Sequence, residues 1–234
     1  MKSKNLVTGS SGLCSFLSEK LNSIKIHRTK NTYTFDNSAI KIEKIIHCGF
    51  GKIDSLNDES SFIEQQINYI SELLKLNFRK FVFISTIDIF GINKDSTYAK
   101  TKKILEDYLK ENCCNYLIIR PSLLIGDGMK INNVLKTALN SQTPLTLSKD
   151  SSFSLIWYED VLSVINSNAT GEYNLTSGEL IKLEDVASFF SVQPKWGDFR
   201  YETPKIYPTD RSFEMTKNLQ LKKLYSFLEN NSYL

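Results

Sequence analysis

The chain has 234 residues and a mass of 26.8 kDa, which fits one large domain or one domain with a small appendage. A hydrophobic fraction of 41% and a charged fraction of 24% are ordinary for a soluble globular protein and exclude a disordered chain. The formal net charge is +3 and no basic run exceeds two residues, so we expect neither nucleic acid nor a membrane surface as a partner.

The cysteines and histidines favour a reducing compartment and no metal chemistry. Cysteines occur at positions 14, 48, 113 and 114 and form no Cys-x-x-Cys pair. The sequence contains neither an apolar segment long enough to span a membrane nor a secretory signal. We therefore expect reduced thiols in a cytoplasmic protein, and with two histidines we expect no metal site.

The first half of the chain alternates predicted strands with predicted helices. The predicted strands are Lys4–Thr8, Ser23–His27, Lys44–Cys48, Phe81–Ser85 and Tyr116–Arg120. The predicted helices, with apolar residues at helical spacing, are Ser11–Asn22, Glu59–Leu76 and Thr97–Asn112. This alternation predicts the α/β class with a doubly wound parallel sheet.

The second half has shorter predicted elements. Its strands are Pro144–Leu147, Phe153–Trp157 and Glu172–Leu175, and its helices are Ile131–Asn140, Asp160–Ser167, Lys182–Phe190 and Phe213–Glu229. We expect a sheet domain over residues 1–128 and a small α/β lobe over residues 129–234, interleaved with the first.

A glycine-rich turn follows the first predicted strand. Gly9 and Gly12 lack a Cβ, which lets the backbone approach a pyrophosphate whose charge then lies at the N-terminus of the following helix. A third glycine would allow close packing of helix and sheet, and its position is taken by Ser15, which is small enough to substitute in part. The place of this turn predicts a Rossmann-type dinucleotide site.

The residues after the second predicted strand bear on which dinucleotide binds. A carboxylate there binds a free ribose 2′-hydroxyl group, whereas a basic residue pairs with a 2′-phosphate. The sequence has Arg28 and Lys30 and no acid before Asp36. This pattern favours NADP(H), with NAD(H) as the alternative.

A tyrosine and a lysine lie four residues apart on one face of a predicted helix, at Tyr98 and Lys102. A free phenol has a pKa of about 10, and a nearby ammonium group lowers it. Thr86 follows the strand Phe81–Ser85, at the end where open α/β sheets bind ligands. We therefore interpret Tyr98 as an acid–base group, Lys102 as its cationic partner and Thr86 as the hydroxyl group that binds a substrate oxygen.

Further short motifs follow in order along most of the chain. The motif segments are Val7–Gly12, Ile45–Gly49, Phe83–Gly91, Tyr98–Lys102, Ile119–Gly126, Phe153–Val161 and Gly171–Leu175. Together they resemble the extended short-chain dehydrogenase/reductase family of the NAD-dependent epimerase/dehydratase type, whose members mostly act on nucleotide sugars. The resemblance implies an NAD(P)-dependent oxidoreductase in which residues 1–128 bind the dinucleotide and residues 129–234 bind the substrate.

The resemblance also implies a role for each matching residue. Tyr98 would be the acid–base, Lys102 would lower its pKa and hold the nicotinamide ribose, and Thr86 would bind the reacting oxygen. The expected cofactor-binding residues are Gly9, Ser11, Gly12, Leu13, Arg28, Asp36, Cys48, Gly49, Lys102, Pro121 and Ser122. The expected substrate-binding residues are Thr86, Asp88 and Arg211, and Asn68 would match the structural asparagine of the family.

One departure from the family pattern narrows the reaction. Sugar-nucleotide 4,6-dehydratases carry Thr-Asp-Glu where this chain has Thr86-Ile87-Asp88, so the first acid is missing and we do not expect dehydration. The leading hypothesis is a nucleotide-sugar keto reductase that uses NADPH. Alternatives are an epimerase with tightly bound NAD, a non-catalytic NADP-binding sensor or scaffold, and a reductase of a non-sugar ketone. Helices that match Ser60–Leu76 and Thr97–Asn112 commonly pair across a two-fold axis in this family, so the resemblance also implies a homodimer.

Overall fold

In the part of the chain that the structure describes, seven strands form one parallel sheet. The computed structural model describes residues 4–26, 41–51, 58–129, 135, 139, 144–177, 179–206, 211–213 and 217–230. The described strands are β1 (Lys4–Thr8), β2 (Ile24–Ile26), β3 (Ile42–His47), β4 (Phe78–Ile84), β5 (Tyr116–Pro121), β6 (Leu123–Ile125), β7 (Ser152–Phe153), β8 (Leu155–Trp157), β9 (Gly171–Ser177), β10 (Ile181–Lys182) and β11 (Arg211–Phe213). The sheet has the order β2-β1-β3-β4-β5-β9-β11, with every neighbouring pair parallel. The predicted Rossmann-type α/β fold is therefore confirmed.

Helices connect and cover these strands. They are α1 (Gly12–Lys20), α2 (Glu59–Leu74), α3 (Thr97–Asn112), α4 (Tyr158–Asn166), α5 (Leu183–Phe189) and α6 (Lys217–Asn230). The first three begin at Ser11, Asp58 and Ser96, and each of these side chains accepts a hydrogen bond from the backbone N–H three residues later. Among the described residues, no helix is long and apolar enough to cross a membrane.

The sheet separates two apolar layers because consecutive strand residues point to opposite faces. The layer that holds α2 and α3 contains the strand residues Leu6, Ile45, Phe81 and Ile118. The layer that holds α1 and α4 contains their neighbours Val7, Ile46, Val82 and Ile119. All eight side chains are inaccessible to solvent. The central strands are therefore covered on both faces, as their continuous apolar sequence indicates.

The chain reverses direction across the sheet between β1 and β3, which opens a crevice at their carboxyl ends. At this point Gly9 has φ +125°, and a Cβ there would lie 2.9 Å from the backbone N of Gly49. Thr8 Oγ1 and His47 Nδ1 lie 2.7 Å apart, within hydrogen-bonding distance. The backbone N of Cys48 donates to Thr8 O at 3.0 Å. These contacts fix the two strand ends side by side.

The second half of the chain completes the same sheet. Strand β9 pairs with β5, and β11 pairs with β9, so strands from both predicted domains share one sheet. The boundary between domains at residue 128 therefore stays a prediction. Pro144–Leu147 is not a strand, because only Leu147 forms a bridge there, to Phe199. Of the predicted helix Ile131–Asn140, the structure describes positions 135 and 139, and both are helical.

Candidate active site

The three predicted catalytic side chains lie together beyond the carboxyl end of β4. Thr86 caps a short 3-10 turn, Ile87–Phe90, by accepting a hydrogen bond from the backbone N of Asp88 at 3.2 Å. The chain then enters α3, whose first two turns carry Tyr98 and Lys102. Strand, turn and helix are consecutive in sequence, so local structure alone brings these groups close.

Lys102 lies in the second turn of α3 and is 2% exposed. Its Nζ donates a hydrogen bond to Ile84 O at 2.7 Å, and the ring centroids of Phe50 and Phe83 lie 5.0 and 4.7 Å from it. Burial lowers the pKa of Lys102 to about 8, and the nearby Glu106 carboxylate opposes this change. Lys102 is thus a buried ammonium that loses its proton at mildly alkaline pH.

A pH-dependent stability follows from this buried ammonium. Between pH 8 and 10.5 the unfolded chain keeps the Lys102 proton that the folded chain has released, so stability rises with pH. Relative to Lys102→Met, the wild type is expected to gain up to about 3 kcal/mol of unfolding free energy across this range. Urea unfolding at a series of pH values measures the difference. Lys100→Met, at an exposed position, should leave the pH dependence unchanged; equal slopes for Lys102→Met and wild type would contradict the assignment.

Tyr98 directs its hydroxyl group towards Thr86 and Asp88. The residue is 39% exposed, but the hydroxyl group has buried surroundings and the ring packs edge-on against Phe50 at 4.9 Å. Burial raises the pKa of Tyr98 to about 12; the Asp88 carboxylate adds to the rise and the hydrogen bond with Thr86 opposes it. The Lys102 Nζ lies 5.9 Å from the ring centroid, but the predicted lowering of the Tyr98 pKa by this ammonium group is not found. At neutral pH the phenol is therefore protonated and able to donate a proton.

Asp88 joins two parts of the chain that are far apart in sequence. Its Oδ2 accepts a hydrogen bond from Thr86 Oγ1 at 3.3 Å, and its Oδ1 accepts one from Tyr201 Oη at 2.7 Å. The Tyr201 ring stacks on Phe153 with centroids 4.7 Å apart. Burial and the Asp88 charge raise the pKa of Tyr201, so this phenol also stays protonated.

Two cavities adjoin at Tyr98. We call the first the glycine-turn cavity; its volume is about 320 Å³ and its walls include Ser11, Gly12, Leu13, Cys48, Phe50 and Lys102. We call the second the Asp88 cavity; its volume is about 410 Å³ and its walls include Thr86, Asp88, Asn93, Ser122, Phe153 and Tyr201. Both are lined by Ser85, Tyr98, Leu123 and Leu124. Tyr98 is thus in contact with both cavities.

The glycine-turn cavity has features that fit a bound dinucleotide. A Cβ at position 12 would lie 2.3 Å from Gly128 O and 2.8 Å from Tyr158 Oη, so only glycine permits this approach of chain segments. Ser11 caps α1, which directs the free N–H groups of its first turn towards the cavity wall. Ser85 Oγ is buried between the two cavities and has no hydrogen-bond partner among the described residues.

Some of the other predicted site residues lie away from the glycine-turn cavity, and others are not described. Pro121 and Ser122 line the Asp88 cavity rather than the glycine-turn cavity. Arg28 and Asp36 lie outside the described residues, so their predicted contacts stay predictions. The backbone of Arg211 pairs with β9 in β11, and its side chain is outside the described part.

Two sequence interpretations change with the structure. Ser15 is exposed, so it does not pack against the sheet. The preceding residue, Cys14, is buried instead, and its Sγ donates to Gly9 O at 3.0 Å. Asn68 is also exposed. The buried amide of α2 is Gln66, whose Oε1 accepts from the backbone N of Gly51 at 3.2 Å. Helix rotation decides which residue faces inward, and spacing alone did not identify it.

A buried ion pair holds the two sides of the site together. Arg120, on β5, donates from Nε and Nη2 to the two carboxylate oxygens of Glu106, on α3, at 2.9 and 2.6 Å. Glu106 is fully buried and Arg120 is 5% exposed. Arg120 also contacts Glu172 and donates to Asn174 Oδ1 at 3.3 Å. The pair fixes the helix that carries Tyr98 against the strand that leads to Pro121.

Comparisons with known proteins identify the fold. No family model and no curated protein sequence matches the chain. MoeE5, solved in complex with UDP-glucuronic acid and NAD, is 15% identical, with a TM-score of 0.71 over 98% of this chain and 100% of that one. The dTDP-4-dehydrorhamnose reductase of Bacillus anthracis in complex with NADP is 19% identical, with a TM-score of 0.69 over 98% and 99%. The ADP-L-glycero-D-manno-heptose-6-epimerase of Helicobacter pylori is 12% identical, with a TM-score of 0.70 over 100% and 97%. At these identities the similarity shows that the chain shares their Rossmann-type α/β fold over its full length.

Proposed function

We propose that this chain is an NAD(P)-dependent oxidoreductase of the extended short-chain dehydrogenase/reductase family that reduces a keto group of a nucleotide-activated sugar. One observation carries the proposal: the Tyr98 side chain lies where the glycine-turn cavity and the Asp88 cavity adjoin. Lys102 lines the first cavity and Thr86 lines the second. An acid–base group between a cofactor space and a substrate space is the arrangement that hydride chemistry at a carbonyl requires.

The similar structures support both halves of the proposal. Their enzymes have been solved with NAD, with NADP and with UDP-glucuronic acid, and they include a reductase and an epimerase. For this chain we infer a nicotinamide cofactor in the glycine-turn cavity and a nucleotide sugar whose reacting ring enters the Asp88 cavity. The Arg28 and Lys30 pattern favours NADP(H) over NAD(H).

The residues present fit such a cofactor. Gly9, Ser11, Gly12 and Leu13 form a turn and helix start suited to a pyrophosphate, with Cys48 and Gly49 beside it. Ser85 Oγ offers a buried hydrogen-bonding group at the junction of the cavities. A bound dihydronicotinamide would supply the hydride that the reduction needs.

Tyr98, Lys102 and Thr86 each have a different role in the proposed reduction. Tyr98, protonated at neutral pH, donates its proton to the carbonyl oxygen of the substrate. The charged form of Lys102, which predominates below pH 8, stabilises the phenolate that this transfer leaves. Thr86 holds the reacting oxygen once its hydroxyl hydrogen, which is donated to Asp88 Oδ2 in the structure, turns to the substrate carbonyl group. Removal of the Lys102 proton above this pH should therefore slow the reaction.

Two measurements on the purified chain test the proposal. The first identifies any nucleotide released on denaturation, and the second follows consumption of NADPH and NADH with a panel of keto-sugar nucleotides. The proposal predicts consumption of NADPH with at least one sugar. Tightly held NAD with no net consumption would instead indicate the epimerase. Nucleotide binding without turnover of any sugar would indicate the sensor or scaffold, and turnover of simple ketones alone would indicate a non-sugar reductase.

Gly12→Ala is expected to weaken NADPH binding at least tenfold. The added methyl group would lie 2.3 Å from Gly128 O, so the turn or the facing loop must move and the cavity between them changes shape. Fluorescence titration with NADPH measures the dissociation constant, and circular dichroism checks the fold. Ser15→Ala, at an exposed position on the same helix, is the matched control and should bind normally. Unchanged affinity of Gly12→Ala would place the cofactor elsewhere.

We also propose that the chain forms a homodimer through α2 and α3, which lie together on one face of the sheet. Ile104 is 38% exposed on α3 and is a large apolar side chain for a solvated helix. Light scattering should give the mass of two chains, and Ile104→Arg should lower it to that of one. A monomeric wild type at micromolar concentration would contradict the proposal.

A further inference from the structure

The Asp88 cavity is lined by both apolar and polar side chains. The apolar lining residues are Ile87, Pro121, Leu123, Leu124, Leu147 and Phe153. The polar lining residues are Ser85, Thr86, Asp88, Asn93, Tyr98, Ser122 and Tyr201. Of the described residues that line the cavity, Asp88 alone carries a charge, and none is a lysine or arginine. The described residues that line this cavity therefore include one negative charge and no cation, and the Lys102 ammonium lines only the adjoining cavity.

The Asp88 carboxylate has hydrogen-bonding capacity left for a ligand. A carboxylate offers about four lone-pair sites. Thr86 Oγ1 uses one on Oδ2 and Tyr201 Oη uses one on Oδ1. Each oxygen thus keeps a site that can accept a hydrogen bond from a hydroxyl or amino group. The two donors also fix the orientation of the carboxylate, so these free sites have a defined direction.

The ring shape expected of the occupant follows from two aromatic side chains that line the cavity. Phe153 and Tyr201 stack with an interplanar angle of 19°, and the Tyr201 hydroxyl group reaches Asp88. Their aromatic surface suits the apolar face of a saturated ring. A ring with an apolar face and hydroxyl groups at its edge therefore matches both the aromatic and the polar lining residues.

We propose that Asp88 selects the sugar by charge: the cavity accepts a neutral or amino-bearing ring and rejects a ring that carries a carboxylate. This inference rests on the proposed function, because it takes the occupant to be the sugar of a nucleotide sugar. A ring carboxylate would lie beside the half-buried Asp88 carboxylate, where the two like charges repel each other. A hydroxymethyl or amino group at the same place would donate to the free sites of Asp88.

Matched sugar pairs test the inference. The probes are UDP-glucose against UDP-glucuronic acid, and GDP-mannose against GDP-mannuronic acid, each titrated by calorimetry into the chain saturated with NADP⁺. Members of a pair differ only in replacement of a hydroxymethyl group by a carboxylate. We expect wild type to bind the neutral member at least tenfold more tightly in whichever pair it recognises. Asp88→Asn should reduce this ratio at least tenfold, mainly by tighter binding of the uronic acid.

Two controls separate charge from shape. Asp95→Asn removes an exposed carboxylate that does not line the cavity, and it should leave the ratio unchanged. Tyr201→Phe removes a hydrogen bond to Asp88 but leaves the charge of Asp88 in place. The ratio of affinities for the neutral sugar and the uronic acid should therefore stay within threefold of the wild-type ratio. An Asp88→Asn ratio equal to that of wild type would overturn the inference while leaving the proposed function intact. Failure of all four nucleotide sugars to bind, with NADP⁺ bound, would overturn the inference together with the proposed substrate class.

Discussion

Replacement of Tyr98 by phenylalanine is expected to lower the turnover number of the proposed reductase about a thousandfold, the usual contribution of a positioned acid–base group. The change removes one oxygen, the only one on this side chain that can pass a proton to the substrate carbonyl. The ring remains, and with it the edge-on contact with Phe50 at 4.9 Å. Neither cavity loses its wall, so the dissociation constant of NADPH should change less than threefold.

The expected loss must appear in turnover rather than in binding or folding. Single-turnover mixing of the variant with NADPH and a keto-sugar nucleotide measures the chemical step directly. Tyr108→Phe is the matched control on the same helix, because Tyr108 lines neither cavity among the residues described for them, and its turnover should equal that of wild type. Turnover of Tyr98→Phe within threefold of wild type would remove Tyr98 from the mechanism.

Replacement of Arg120 by methionine is expected to lower the free energy of unfolding by about 3–5 kcal/mol. The variant leaves the Glu106 carboxylate, which is fully buried, without the guanidinium group that donates to both of its oxygens. Glu172 is less affected because it retains Lys110 at 3.3 Å and is partly exposed. For a chain of this size the fall in Tm should be roughly 6–20 °C.

A double-mutant cycle isolates the buried pair. Combining Arg120→Met with Glu106→Met removes both charges, and the double variant should recover at least half of the lost stability. Lys110→Met is the control for a partly exposed pair and should cost at most about 1 kcal/mol. A double variant less stable than Arg120→Met would show that the pair is not the source of the loss. Because the pair joins α3 to β5, the single variant should also reduce turnover.

The sequence predicted those parts of the site that depend on local structure. Tyr98 and Lys102 share a helix at four-residue spacing, and Thr86 follows a central strand, so helix geometry and parallel topology suffice to bring them together. The glycine turn and the end of β3, which both hold residues expected to bind the cofactor, also lie side by side, because β1 and β3 flank the point where the strand order reverses. The continuous apolar runs identified the buried strands because strands covered on both faces need apolar residues at every position.

Contacts between distant segments were not predictable from one sequence. Tyr201 lies 113 residues from Asp88, in a stretch without regular periodicity, and only the folded chain brings them to 2.7 Å. The Glu106–Arg120 pair had a partial signal, since Glu106 continues the four-residue spacing of Tyr98 and Lys102. Which residue of a turn faces inward, as with Cys14 rather than Ser15, depends on packing that spacing does not determine.

In the proposed reaction Tyr98 stands between a hydride donor and a sugar carbonyl group held in adjoining cavities. Hydride transfer can be followed with NADPH deuterated at the transferable position, the keto-sugar nucleotide that wild type reduces, and mass spectrometry of the product. We expect one deuterium on the carbon that bore the carbonyl group, and about a thousandfold slower incorporation with Tyr98→Phe. A reduced product without deuterium, or equal incorporation by the two proteins, would contradict the proposed reaction.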